Sequence, residues 1–135
     1  MILFTPWRKF IAFYNRSNVR SFLKDAADTS EKTFKDGVKD GPKTGRIYRR
    51  KGRLHQASVG RARAEYPAND TGALQASIRS RVGTNEAEVG SNMVYSNFLR
   101  NGTSRMVRRK MADDALTESL PSVRVRMKAF AEWKR

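Results

Sequence analysis

Residues 77–90 read SIRSRVGTNEAEVG, and their alternation decides the fold class. Ile78, Ser80 and Val82 fall on one side of an extended chain and Arg79 and Arg81 on the other. That is the two-residue period of a strand with one covered face. Gly83-Thr84-Asn85 supplies turn residues. On the return, Ala87 and Val89 match the apolar side, and Glu86 and Glu88 can lie across from the two arginines. Opposite charges paired across strands contribute ~0.2–1 kcal/mol each. An antiparallel hairpin with one wet face is the expectation.

Upstream the period is helical. Val19, Phe22, Leu23, Ala26, Ala27, Phe34 and Val38 form one stripe over about 19–40, with Ser17-Asn18 placed to cap it and Gly41-Pro42 to stop it. Asp25, Asp28, Lys32, Lys35, Asp36 and Lys39 take the opposite face. Before it, Thr5-Pro6 starts a helix over 6–16 that carries Trp7, Phe10, Ile11 and Tyr14. After it, Arg46-Ile47-Tyr48-Arg49 and Leu54-His55-Gln56-Ala57, broken near Gly52, read as a short hairpin. Residues 59–69 show no lasting period and read as loop. Asp70-Thr71-Gly72 opens a helical turn through Ala76, with Thr71 or Asp70 as its cap.

Downstream, Met93, Val94, Tyr95, Phe98 and Leu99 predict a short apolar helix over 93–100 that packs on the sheet and ends at Asn101-Gly102-Thr103. Asp113 and Asp114 suit the start of a helix running to about Leu120. Pro121 then begins a last helix with Val123, Met127, Phe130 and Ala131 on one side. The sum is an α+β fold, one domain overall. It comprises a helical arm over 1–42, a core over 43–120 with an antiparallel sheet of about four strands, and a C-terminal helix over 121–135.

Composition narrows the function. At 135 residues the chain can bury a single core without staples. It has no cysteine, which removes disulfides and thiol chemistry, and its one histidine, His55, removes multi-histidine metal sites. Arg8 and Lys9 interrupt the apolar Met1–Phe4 before it reaches signal-peptide length, and no run approaches the roughly 20 apolar residues of a membrane span. A protein assembled in a cytoplasm, without a membrane partner, is expected. The chain has no glycine-rich phosphate loop, nucleophile elbow or histidine pair. The adjacent Asp113 and Asp114 would diverge by ~100° on a helix. The expectation is a non-enzyme with no catalytic residue, no cofactor and no metal.

Charge is the strongest compositional signal. Twenty-eight Lys and Arg against thirteen Asp and Glu leave +15. Residues 43–63 hold eight basic side chains and no acidic one. Arg46, Arg49, Arg50, Lys51 and Arg53 lie on or beside the first hairpin, and Arg105, Arg108, Arg109 and Lys110 form a second cluster. Both are candidate contacts for DNA phosphates or for acidic protein neighbours. Trp7, Phe10, Phe13, Phe130 and Trp133 are candidate interface anchors.

The order of motifs in the middle of the chain resembles a known family. Ala57-Ser58 follows the basic segment; PANDTGALQASI spans 67–78, and AEVGSNMVYSNFLRNGTSRM spans 87–106. The matching positions are Asp70, Thr71, Gly72, Leu74, Ser77 and Ile78, then Val89, Gly90, Ser91 and Asn92, then Tyr95, then Gly102 and Thr103. Over roughly 19–120 this resembles the tail-component family of tailed phages, the lambdoid "gene ten" type of neck or tail-completion protein. The chain departs from the family at Arg100, where an acidic residue is usual, near Arg109-Lys110-Met111, and before Pro67, where Arg61, Arg63 and Glu65 stand. The motif residues also make sense as fold residues, with Gly72, Gly90 and Gly102 at element boundaries where positive φ or tight turns are needed.

The resemblance implies a virion structural protein of the head–tail junction. It would form a homo-oligomeric ring, of six copies, between the head connector or stopper and the tail tube or its terminator, around genomic DNA. A tail terminator and a small basic nucleic-acid-binding protein stand as alternatives. If Arg49, Arg50 and Arg53 face DNA, changing all three to glutamate lowers DNA retention and spares ring assembly; loss of rings makes them interface residues.

Overall fold

The computed structural model describes residues 2–4, 16–58, 65–69 and 71–133, with side chains for 19–58, 65–69 and 71–129. Trp7, Phe10, Phe13, Asp70, Arg61, Arg63 and most of the helix expected over 6–16 lie outside the described residues, as do the side chains of Phe130 and Trp133.

The architecture is α+β. Its elements run β1 (Ile2–Phe4), α1 (Arg16–Asp40), β2 (Ile47–Arg50), β3 (Arg53–Gln56), α2 (Ala73–Ser77), β4 (Ile78–Val82), β5 (Ala87–Ser91), α3 (Ser96–Asn101) and α4 (Ala112–Trp133). Among the described residues the strands form two antiparallel sheets: one of three strands, ordered β1-β5-β4, and the β2-β3 ribbon. The single sheet of about four strands expected from sequence is thus split. The arm is not helical from its start either, because Ile2, Leu3 and Phe4 pair with Val89, Glu88 and Ala87 as an edge strand.

Helix α1 is the centre of the molecule. One flank packs on β4 and β5 and the other on α4. Its stripe therefore has to be buried nearly all round, and Leu23, Ala26, Ala27, Phe34 and Val38 are buried together with Ser30. Ser30 Oγ and Ser119 Oγ lie 2.8 Å apart, and Ser119 also donates to the Leu116 carbonyl. With that proton committed, the Ser30 hydroxyl is the donor of the pair. A buried hydroxyl so satisfied avoids the ~1–3 kcal/mol cost of an orphaned one. Helix α1 ends at Asp40, and the Lys43 ammonium caps it by donating to the Gly37 and Gly41 carbonyls at 3.0 and 2.8 Å.

The β4-β5 register pairs Arg81 with Glu88 as expected, but sets Arg79 opposite Gly90 and leaves Glu86 in the turn, where its carbonyl accepts from Gly83. Ile78, Ala87 and Val89 are buried while Arg79 and Arg81 are exposed. Between α1 and β4, the Glu31 carboxylate accepts from Lys35 Nζ at 2.5 Å and Ser80 Oγ at 2.6 Å. Burial pushes its pKa up, but the bonds from Lys35 and Ser80 and the Lys35 charge outweigh burial and hold it below the ordinary 4.5. A carboxylate with a depressed folded pKa stabilises the fold above its unfolded value and loses that stabilisation as pH falls through the folded one. Urea melts between pH 7 and 3 should therefore show a steeper loss below about pH 4.5 in the wild type than in Glu31→Gln. Parallel profiles would mean that Glu31 contributes nothing to the pH dependence.

Four sequence expectations change here. Helix α4 runs unbroken from Ala112 with Pro121 inside it, so 121–135 is not a separate helix. The helix expected over 93–100 is the shorter α3. Gly72 and Gly102 adopt φ 80° and 77°, as a boundary glycine would, whereas Gly90 is an ordinary buried strand residue. Helix α2 has no side-chain cap: Gly72 itself holds the cap position, with Thr71 Oγ1 3.4 Å from the Ala73 amide. Helix α4 does carry Asp113 and Asp114 in its first turn, where Asp114 reaches back to accept from the Met111 amide at 3.1 Å.

Gly37 shows packing overruling propensity. A Cβ there would lie 2.5 Å from Cδ2 of Tyr66. The ring has little freedom to retreat, because Tyr66 Oη donates to Glu118 at 2.9 Å and the Phe34 ring sits 5.9 Å away, centroid to centroid. Gly37→Ala gains ~1 kcal/mol of helix propensity but incurs an overpacking cost of ~1–3 kcal/mol. Thermal melts should show net destabilisation; a variant more stable than wild type would mean that the ring moves freely.

Candidate interaction surface

The ribbon is built by its turn. Arg50-Lys51-Gly52-Arg53 closes β2 on β3 with φ 47° at Lys51 and 77° at Gly52, the positive pair of a two-residue hairpin turn. Glycine adopts that conformation freely and lysine at some cost. The register Ile47↔Gln56, Tyr48↔His55, Arg49↔Leu54, Arg50↔Arg53 then sorts the side chains by face. Tyr48, Arg50, Arg53 and His55 share the inner face, where the Tyr48 and His55 rings stack at 5.5 Å. Ile47, Arg49, Leu54 and Gln56 share the outer face, with Ile47 62% and Leu54 68% exposed.

The five ribbon-side basic residues of the sequence reading are thus brought together. Arg46 stands at the ribbon's root, its carbonyl accepting from Ala57, and all five are exposed. Placing Arg50 opposite Arg53 sets like charges across strands, which is unfavourable by ~0.2–1 kcal/mol. The tip has Lys51 between them.

The second basic cluster is not a free patch. Arg108 pairs with Asp113 at 3.5 Å and Asp114 at 3.1 Å. Arg109 donates to Ser58 Oγ at 2.7 Å and to the Ser58 and Val107 carbonyls. Lys110 pairs with Glu118 at 2.5 Å and lies 5.6 Å from the Tyr66 ring centroid. Arg105, the fourth member of the cluster, is exposed. The other three hold the 102–110 loop onto the core.

Two open grooves flank these elements. One, of about 500 Å³, lies under the ribbon's inner face and is lined by Tyr48, Arg50, Leu74, Tyr95, Leu99 and Arg109 among others. The other, of about 490 Å³, lies between the end of α1 and α4 and contains Asp36, Asp40, Pro42, Glu65, Tyr66 and Glu118 with Lys110. Glu65 is buried and accepts from the Thr44 amide and hydroxyl at 3.2 and 2.7 Å, which ties the ribbon's root to this groove. Burial, the hydrogen bond to Glu118 and the charges of Glu118, Asp114 and Asp113 raise the Tyr66 pKa, so its phenol stays protonated at neutral pH.

Helix α3 also differs from expectation. Leu99 packs against the core, but Tyr95 and Phe98 do not cover the sheet: they are exposed, and with Val94 they form an apolar surface patch. The matched motif residues are mainly structural. Leu74 and Ile78 are buried, and Ser77 Oγ lies 2.6 Å from Ser91 Oγ, locking the start of β4 to the end of β5. Gly102 allows the turn in which Thr103 Oγ1 accepts from the Arg105 and Met106 amides. Asn92 is exposed.

No family model, curated protein or solved structure matches the chain significantly. The acidic groove and the α3 patch were missed in the sequence because Asp36, Asp40, Glu65 and Glu118 are scattered along it. Val94, Tyr95 and Phe98 carry the spacing of a core stripe.

Proposed function

We propose that this chain is a structural ring protein of the phage head–tail junction, a neck or tail-completion component of the virion that surrounds the DNA channel. The observation that carries the reading is the pair of unlike surfaces on one small α+β domain. One is a basic ribbon with Ile47 and Leu54 exposed on its outer face; the other is the acidic groove at the end of α1, with Asp36 and Asp40 exposed at its rim. A head-to-tail interface that closes with cyclic symmetry needs two different surfaces on each copy. The motif order over 57–106 supports the same reading, as does the net charge of +15 for a protein beside packaged DNA. The neighbours would be the connector or stopper on the head side and the tail tube or terminator on the tail side.

Electron microscopy of lysates from a phage lacking the gene tests this. Filled heads and separate tails that join on addition of purified protein are the expected result. Abnormally long tails would assign the terminator role instead. Normal infectious virions would overturn the structural reading in favour of a basic nucleic-acid binder, whose affinity should fall by decades between low and physiological salt.

A further inference from the structure

We propose that the outer face and tip of the β2-β3 ribbon dock into the groove at the end of α1 in a second copy of this chain. The inference rests on the ring reading and specifies its interface. The ribbon's inner face already borders a groove of its own chain through Tyr48 and Arg50, whereas Ile47, Arg49 and Leu54 face outward. Exposed apolar side chains flanking an arginine, next to a tip of crowded cations, call for a partner surface that is acidic and partly apolar. On a chain of net charge +15, the groove of about 490 Å³ is such a surface.

That groove offers four carboxylates, and two of them are committed internally. Glu65 serves Thr44, and Glu118 serves Tyr66 and Lys110. Asp36 and Asp40 are exposed at its rim, one helical turn apart, with the Tyr66 ring and Pro42 as apolar lining. Opposite charges facing each other across an interface fix its register and speed encounter. The ribbon is rooted beside its own groove through Thr44, and a four-residue strand carries the tip ~13 Å away. A tip held out in this way meets a neighbour's groove rather than its own, and repetition of that contact closes a ring.

Sedimentation of the 15.4 kDa chain at low salt, with and without duplex DNA, tests the contact. The wild type should assemble without DNA. Arg49→Glu/Lys51→Glu/Arg53→Glu should weaken self-association ~100-fold, and Asp36→Lys/Asp40→Lys should do the same. Circular dichroism should be unchanged in both, since every altered residue is exposed. Combining the five changes in one chain, or mixing the two variants, should restore assembly to within ~10-fold, because each reversed ribbon then meets a reversed groove.

Assembly of both variants at wild-type strength would overturn the contact and leave the ring reading standing. Failure of the combined chain and of the mixture to recover would show that the ribbon's partner is not this groove. A wild type that stays monomeric would overturn the contact and the self-assembling ring together. DNA binding lost in the ribbon variant would then make the ribbon a nucleic-acid contact.

Discussion

Replacing Phe34 with alanine should cost ~3–5 kcal/mol of stability and lower the melting temperature by roughly 10 °C or more. Phe34 is fully buried on α1, where the helix meets Tyr66 on one side and the Ser91 and Met111 region on the other. Its loss removes both the transfer free energy of the ring and the contacts of everything around it. The neighbours cannot collapse into the space, because α1 is held between the sheet and α4 and Tyr66 is fixed by Glu118. Urea denaturation followed by circular dichroism measures the difference. A cost under ~1.5 kcal/mol would mean that the site relaxes, which the packing around α1 argues against.

Replacing Pro121 with alanine should have the opposite sign. Proline inside a helix removes one backbone donor and crowds the preceding turn, at ~3 kcal/mol. Removing it also returns ~0.4–1 kcal/mol of freedom to the unfolded chain. Pro121 is exposed, so no packing is lost with the ring. The expected net gain is ~2 kcal/mol, read as a melting temperature several degrees higher. Helix α4 survives its proline because Ala115, Ser119 and Val123 are buried on either side of it, with the Ser30–Ser119 pair locking the helix to α1. A destabilised Pro121→Ala protein would show that the helix depends on the geometry proline imposes.

These two residues mark where the sequence could be read and where it could not. The α1 stripe was legible because a helix buried on both flanks must carry apolar residues at every third and fourth position, and Phe34 lies on it. The hairpins at 47–56 and 78–91 were legible from alternation and turn chemistry. Pro121 was not, since a proline fits the first turn of a new helix as well as an interrupted old one, and only tertiary packing chooses. Tyr95 and Phe98 failed for a related reason: spacing describes a helix face and says nothing of what it meets. The basic residues at 108–110 looked free because their partners Asp113, Asp114, Glu118 and Ser58 are brought to them only by the folded loop.

The pairing of β1 with β5 sets an order of events at the ribosome. Phe4 finds its partner in Ala87, so the edge strand cannot complete the sheet until the chain between them has been made. At 5–20 residues per second that wait lasts roughly 4–17 s. Throughout it the apolar stretch Ile2-Leu3-Phe4 has no β5 to pair with, while α1, which closes on local contacts, can already form. A strand made before α1 is thus secured only after β5 has been made, and until then the nascent chain is open there to chaperones and to wrong pairings.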